Sequence, residues 1–413
     1  MSHTEYDVII VGAGAAGLMA AIQARRLNLS VLLLDSQKKI GAKILMSGGT
    51  RCNVTNQEVS VRDYNTESPR AVRDVLAAFP AAATVDFFES NGVKLILDKK
   101  QKYFPQTNSA KTILKTFLEV IQENKIDLVT ANKVEFLRLD GQKFIVGGSG
   151  FFFHSKAVLL ATGGLSYPST GSNGGGYRLA KQFGHRLVNF SPALTPLTTA
   201  DPDWISLRGL SLPCRLTLRC DQKEIKGFTD DFLFTHFGFS GPVVLNISRH
   251  WIHAQGQSSL KLDCSFLPGV TRDSLDRQIK ETTMQRPQFL LKSILGSYLP
   301  VRLGEIILKK SGLSAEIRIS QLRREQRYLL IQNLLAYPLP VKGARGFGQA
   351  EVTAGGVDLS EINPATLESR KQRGLFFAGE ILDVDGRIGG FNFQWAWSSG
   401  VVAGRGVKKS LSV

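Results

Sequence analysis

Gly12-Ala13-Gly14-Ala15-Ala16-Gly17 follows the apolar run Tyr6-Asp7-Val8-Ile9-Ile10-Val11 with G-x-G-x-x-G spacing. Three glycines so placed do three jobs. Gly12 permits a tight turn, Gly14 lets a pyrophosphate approach the backbone, and Gly17 lets a helix pack closely on the strand. With Ala15 and Ala16 the loop opens a helix whose free N–H groups and dipole favour anions. Asp35 ends a second apolar run, Val31-Leu32-Leu33-Leu34, where an acid can accept from a ribose. Strand, glycines, helix, strand and terminal acid together point to a bound dinucleotide.

Two further segments separate a flavin from a nicotinamide. Ala161-Thr162-Gly163-Gly164 ends a buried run, and Phe376-Phe377-Ala378-Gly379-Glu380 is followed by Gly389-Gly390-Phe391-Asn392. A flavin carries a ribityl chain and a ring beyond the pyrophosphate, so it needs a second backbone approach far away in sequence. Glu380 can accept from ribityl hydroxyls, and a helix starting near residue 390 can aim its N-terminus at the flavin pyrimidine. FAD is therefore the expected cofactor. A second G-x-G-x-x-G is missing, so NAD(P)H, as electron donor, is expected to dock transiently.

These residues need elements to hold them. The buried runs at 6–11, 31–35, 158–162 and 375–378 read as parallel strands. Helices are expected after Gly17 to about Asn28, near 69–90 and 109–124, from the Gly-rich loop 171–176 to about Phe183, and near 391–404. Short strands cluster at 128–161 with a turn at Asp140-Gly141. Residues 191–268 alternate like strands, and 271–335 carry Leu/Ile at helical spacing. The fold class is α/β: a Rossmann-type FAD-binding domain (1–190 and 346–413) interrupted by a β-barrel-like subdomain (191–270) and a basic helical subdomain (271–345).

The 413 residues suffice for two or three domains, with 43% hydrophobic and 21% charged residues. Extensive disorder is excluded, as is a run of about 20 apolar residues crossing a membrane. The start, Met1 to Asp7, shows no secretory signal, and four cysteines are no disulfide framework or zinc site. A cytoplasmic setting and no metal are expected; oligomeric state is left open. The net charge is +16, and residues 286–345 hold eleven Lys/Arg against three Asp/Glu, whereas 191–285 hold ten of each. Half the excess thus lies in one segment, suited to a polyanion.

The order of motifs resembles two-dinucleotide-fold flavoproteins of the glutathione-reductase and fumarate-reductase kind. More narrowly, the chain resembles the BaiN/YhiN-type, aminoacetone-oxidase-like flavoproteins. The resemblance rests on Lys43–Asn56 (KILMSGGTRCNVTN), Phe234–Pro242, Val352–Val357, and Ala378–Gly386 with Gln394–Gly400, and so covers the whole chain. Thr50 departs from it where a third glycine is expected, and Arg387-Ile388 where relatives are more polar. It implies FAD held in part by Lys43, Gly49, Arg51 and Cys52. It also implies a range of substrates: steroid-like conjugated double bonds, small amines, or uridine in large-subunit ribosomal RNA.

Reducing an activated C=C bond requires a general acid. Cys52 is one candidate, as a thiol of near-neutral pKa with Arg51 favouring its thiolate; the alternative is a packing residue under the flavin. His236 is the other, as acid or substrate anchor, against a structural histidine. Tyr103 reads better as a surface aromatic, and Trp395 and Trp397 as core. Three functions follow. An RNA-modifying reductase would convert uridine to dihydrouridine on an extruded base, with Arg302, Lys309, Lys310, Arg323, Arg324 and Arg327 gripping phosphates. Lys94, Lys99, Lys100 and Lys102 form a second basic cluster. A small-molecule enone or amine oxidoreductase would leave the charge incidental, and a non-catalytic RNA-binding flavoprotein ranks last.

Overall fold

The computed structural model describes residues 5–412, so Met1–Thr4, part of the segment read for a signal, lie outside the described residues. β1 (Glu5–Val11) is apolar on both faces from Val8 onward and lies between two parallel neighbours. After it come α1 (Ala15–Arg26), β2 (Val31–Leu34) and α2 (Ala42–Thr50). Helices Pro69–Ala78 and Ala81–Ser90 divide the expected 69–90 stretch at Phe79-Pro80, because proline cannot donate within a helix. Helix Ala110–Glu123 precedes β3 (Asp127–Val129), β4 (Phe136–Asp140), β5 (Lys143–Gly148) and β6 (Phe151–Leu160). The β4–β5 turn has Gly141 at φ 60°, which suits its Asp-Gly sequence. α3 (Gly175–Gln182) follows.

Residues 193–350 form a compact unit of their own. It holds β7 (Ser211–Cys220), β8 (Lys223–Thr235), β9 (Gly238–Ser240), α4 (Pro242–His253) and β10 (Lys261–Ser265). Then come α5 (Arg272–Gln285), α6 (Val301–Lys310) and α7 (Arg324–Leu335). Its antiparallel sheet runs Tyr337–Pro338, β10, β7, β8, β9, Leu197–Thr198, Gly343–Ala344. The two end strands do not pair with each other, so the expected barrel is an open sheet. Both end strands that the alternation pattern missed are two residues long, too short to show a period. One apolar core runs from Leu197 to Leu339, with Trp204 stacked at 5.9 Å from both Phe234 and Phe266.

The chain then supplies β11 (Val352–Val357), β12 (Leu375–Phe377) and α8 (Phe391–Leu411). With residues 1–192 these make the other compact unit. β12 completes the parallel set β3-β2-β1-β6-β12 by pairing the second half of β6, Val158–Leu160. α8 continues past residue 404 because its late glycines are packing positions rather than breakers. A side chain at Gly400 or Gly404 would meet the Ala16 or Ala20 carbonyl of α1 at 2.5 or 2.6 Å. The two helices can therefore lie backbone to backbone.

Candidate flavin site

The loop between β1 and α1 assigns its three glycines different tasks. A Cβ at Gly12 would lie 2.4 Å from the Ala161 carbonyl of β6, and at Gly17 1.8 Å from the Gly12 carbonyl. Both are packing constraints. A Cβ at Gly14 would meet nothing within 4 Å, so the backbone there faces open space. Gly14 also starts α1 with no side chain capping it, leaving N–H groups directed to that space. Asp35 accepts from the Ala13 and Gln37 N–H groups, each at 2.7 Å, and burial raises its pKa. Those bonds fix the loop and leave carboxylate lone pairs for a ribose.

The second approach is the end of α2. Ser47 is extended, and Gly48, Gly49 and Thr50 have φ of 57°, 65° and 68°, with Cys52 at 61°. A Cβ at Gly49 would again meet open space. Thr50 occupies a left-handed conformation that a β-branched residue rarely adopts, which explains why a glycine is expected there. Arg51 is exposed; its guanidinium lies 4.4 Å above the Phe104 ring and donates to the Gly48 carbonyl at 3.2 Å. Cys52 is fully buried, and burial pushes its thiol up to about 12. The expected near-neutral thiol is therefore corrected: nothing charged offsets its desolvation, and the Arg51 guanidinium packs on Phe104 instead.

The return segment brings a polar knot to the same unit. Glu380 accepts from Lys43 Nζ and Ser166 Oγ, each at 2.5 Å, and from Thr353 N–H at 2.9 Å. Lys43 also donates to Ser166 Oγ at 2.7 Å. Glu380 thus ties α2, the loop after β6 and β11 together, a positioning role beyond the expected ribityl contact. Ser166 and Thr353 were not singled out from sequence, since neither stands in a chemically telling local pattern. At the end of β6, Gly163 has φ 70° and Thr162 carries a buried hydroxyl with no partner. Gly379 packs against Ala16, 2.8 Å from where its Cβ would lie.

The start of α8 closes the constellation. Gly390 begins the helix without a side-chain cap. Asn53, with its amide turned to suit both neighbours, accepts from Gly390 N–H at 2.9 Å. Asn56 donates to the Gly389 carbonyl at 3.1 Å. Asn392 is engaged at both ends with Gly386, at 2.8 and 2.9 Å, so its side chain clamps a turn. Phe391 is buried, and its carbonyl accepts from Tyr64 Oη at 2.8 Å. Trp395 and Trp397 are buried and donate to the Gly379 and Val54 carbonyls at 3.1 and 2.9 Å, in keeping with core positions. Gln394, which opens one of the resembling segments but has no role assigned from sequence, accepts from Thr55 and Thr84 and donates to Phe79 and Ser398.

Other expected residues lie elsewhere. His236 is exposed in the turn between β8 and β9, its ring against Phe237. Tyr103 is half-buried and pairs with Thr55. Three of the six proposed phosphate-gripping residues are neutralised. Lys309 binds Asp203, Lys310 binds Asp201 and Asp203, and Arg327 binds Asp276, with N···O distances of 2.7 to 2.9 Å. Arg302 donates to the Ser206 carbonyl. Arg323 and Arg324 remain exposed. A Ser369–His185–Glu361 chain, at 2.7 and 3.0 Å, resembles a hydrolytic triad that sequence did not suggest. Ser369 Oγ also accepts from two N–H groups, and both Ser369 and His185 are buried, so the chain braces a turn.

The residues fit FAD: two uncapped helix starts, two backbone stretches facing open space, a loop acid and an orphaned threonine hydroxyl lie within one unit. Comparison with known proteins agrees. A protein of Escherichia coli (strain K12) named ribosomal RNA dihydrouridine synthase is 34% identical over 95% of this chain and 96% of its own. A protein of Clostridium scindens named 3-dehydro-bile acid delta(4,6)-reductase is 32% identical over 96% of this chain and 97% of its own. A quinol-fumarate reductase structure has the same fold, with TM-score 0.51 and 16% identity over 100% of this chain and 72% of that one. The family model for the HI0933-like protein Rossmann domain matches residues 6–406. The chain belongs to this HI0933-like family of FAD-binding flavoproteins and is a flavin-dependent oxidoreductase.

Proposed function

We propose that this enzyme reduces the C5–C6 double bond of uridine in large-subunit ribosomal RNA, with NAD(P)H as transient electron donor and the cytoplasm as its setting. The observation that carries the reading is the near full-length similarity to the Escherichia coli protein named for that activity. The bile acid reductase is almost as similar, so reduction of a conjugated bond in a small molecule is the second reading. The concentration of positive charge in 286–345 favours the first.

Bound FAD, once reduced by NAD(P)H, would supply hydride to one carbon of the C=C bond. The chain must then seat the cofactor, orient the base and deliver one proton to the other carbon. Gly12–Gly17 and Asp35 would take the pyrophosphate and ribose. Gly49 and the N-terminus of α8 would face the ring system, where the helix dipole favours negative charge. Lys43, Ser166 and Thr353 hold Glu380 in place. Of the two candidate acids, the Cys52 thiol is sealed in the core, which leaves His236, exposed within residues 193–350.

The test is mass spectrometry of ribosomal RNA from cells with and without the gene. Dihydrouridine should disappear on deletion and return with the intact gene. A Gly14→Val copy should fold but not restore it, because its side chain would fill the open space that the pyrophosphate needs. The purified variant should lack flavin absorbance and melt near the temperature of wild type stripped of its flavin. Unchanged ribosomal RNA on deletion would sink the reading and move the search to small enones.

A further inference from the structure

Within the helical part of residues 193–350, three arginines converge on one ring. The guanidinium carbons of Arg272, Arg324 and Arg327 lie 5.0, 5.4 and 5.8 Å from the Tyr328 ring centre. Arg272 opens α5 and Arg324 opens α7, and these helices pack side by side. Arg327 is held by Asp276, which also binds Lys280. It is thus a fixed and neutralised wall of the cluster. Arg272 and Arg324 are exposed, and among the described residues neither has a carboxylate within ion-pair distance. Tyr328 is half-buried, and Arg323, immediately before α7, is exposed.

This chemistry suits a particular ligand. Isolated lysines on a surface would attract any anion. Planar guanidinium groups about a tyrosine ring instead offer both a π face and charge. Unpaired bases stack on such planes while the adjoining phosphates accept from the same arginines. A paired helix hides its base faces and cannot use the ring. A second pair of the same type, Arg286 over Phe289 at 5.0 Å, stands beyond the other end of α5, with Phe289 43% exposed. The fourteen residues of α5 span about 21 Å at 1.5 Å per residue, a length that several extended nucleotides can bridge.

We infer that the Arg272–Arg324–Tyr328 cluster is a stacking platform for single-stranded RNA, placed outside the flavin-binding unit. The inference rests on the ribosomal RNA reading for its biological partner, and it names the part of the chain that would hold the strand. The platform reassigns the grip away from Lys309 and Lys310, which already carry carboxylate partners, and adds Arg272, which lies outside the basic stretch.

The test uses the FAD-loaded full chain and a fluorescein-labelled twelve-nucleotide oligouridine, with a twelve-pair RNA duplex for comparison. Binding is followed by anisotropy over a salt series. Wild type should prefer the single strand. Arg272→Ala with Arg324→Ala should weaken binding at least tenfold and lower the log–log salt slope by about 1.4, at about 0.7 per phosphate contact. Tyr328→Leu should weaken binding about tenfold with the slope unchanged, as loss of one stacked base does. Lys408→Ala with Lys409→Ala, which removes two exposed charges from the other unit, should change binding less than twofold. The inference is overturned if the arginine pair matters no more than the lysine pair, if duplex binds as well as single strand, or if polyglutamate competes as well as poly(U). Dihydrouridine in cells separates the two ideas. If wild type forms none, the substrate reading fails and the platform is judged on binding alone. If the arginine variant, with normal flavin content, forms as much as wild type, the platform fails.

Discussion

Two residues beside the flavin site carry consequences that can be measured. Cys52 has a pKa near 12 against an ordinary thiol value of 9.0, because burial disfavours its thiolate. The unfolded chain therefore loses this proton first as pH rises. The corresponding stability is fully present below pH 9 and falls between pH 9 and 12 by about 1.4 kcal/mol per unit. Urea unfolding at pH 8, 9.5 and 10.5 should show that loss, and Cys52→Ala should make it smaller. A slope equal in both proteins would mean the thiol is not the titrating group. Thr50 is the other residue. Its φ of 68° costs a β-branched side chain about 1 kcal/mol or more. Thr50→Gly should raise the melting temperature by about 2 °C, since the residue is exposed and donates only to the Gly49 carbonyl of its own turn. A fall would show that the hydroxyl matters more than the strain. The glycine pattern was legible because close approach and positive φ act through one residue type. The state of the Cys52 thiol was not, because its pKa depends on which way Arg51 points.

The element that does most to hold the site is α8. Its start carries no side-chain cap, while Gln394, one turn in, is buried among Thr55, Thr84, Phe79 and Ser398. Apart from Ser398 of α8 itself, these partners come from two separate stretches of chain, so one amide registers the helix against both. Gln394→Ala would deprive the Thr55 and Thr84 hydroxyls of their shared acceptor, at about 1–3 kcal/mol for an unsatisfied buried group, while the Phe79 carbonyl keeps the Ser398 hydroxyl. The expected result is a lower melting temperature together with weaker FAD retention, read as flavin released on dilution. Gln394→Glu should lose less of the packing but place a charge in the core, so retention should fall there too. If FAD is held normally in both variants, the helix start is positioned by its glycines and tryptophans instead. Elements of this kind were partly legible. The helix near residue 391 followed from its glycine start, but its extent did not, because Gly404 and Gly406 read as ends until their neighbours are known. The knot at Glu380 joins residues 43, 166, 353 and 380, and no local pattern links such distant positions.

For the whole molecule, the decisive quantity is charge that remains free to act. The sequence gives +16, and eleven basic residues crowd into 286–345. Folding neutralises part of that crowd, since Lys292, Lys309, Lys310 and Arg327 each meet a carboxylate. Which charges pair is a property of tertiary approach; Asp201 and Asp203 lie about a hundred residues before the lysines they bind. Total charge thus overstates the grip available to a polyanion. With three or four phosphate contacts at about 0.7 each, RNA affinity should fall about 20- to 50-fold between 50 and 200 mM salt. A grip by all eleven residues would give a drop of about 40,000-fold. The substrate classes respond differently to the same series. The KM for an RNA fragment should climb with salt by that factor at nearly constant kcat, because salt acts on binding rather than on the reacting bond. The KM for an uncharged enone should stay within twofold. Activity on RNA with a flat salt profile would show that the basic surface plays no part in recognition, and the similarity to the dihydrouridine synthase would then have to act through the flavin-binding unit alone.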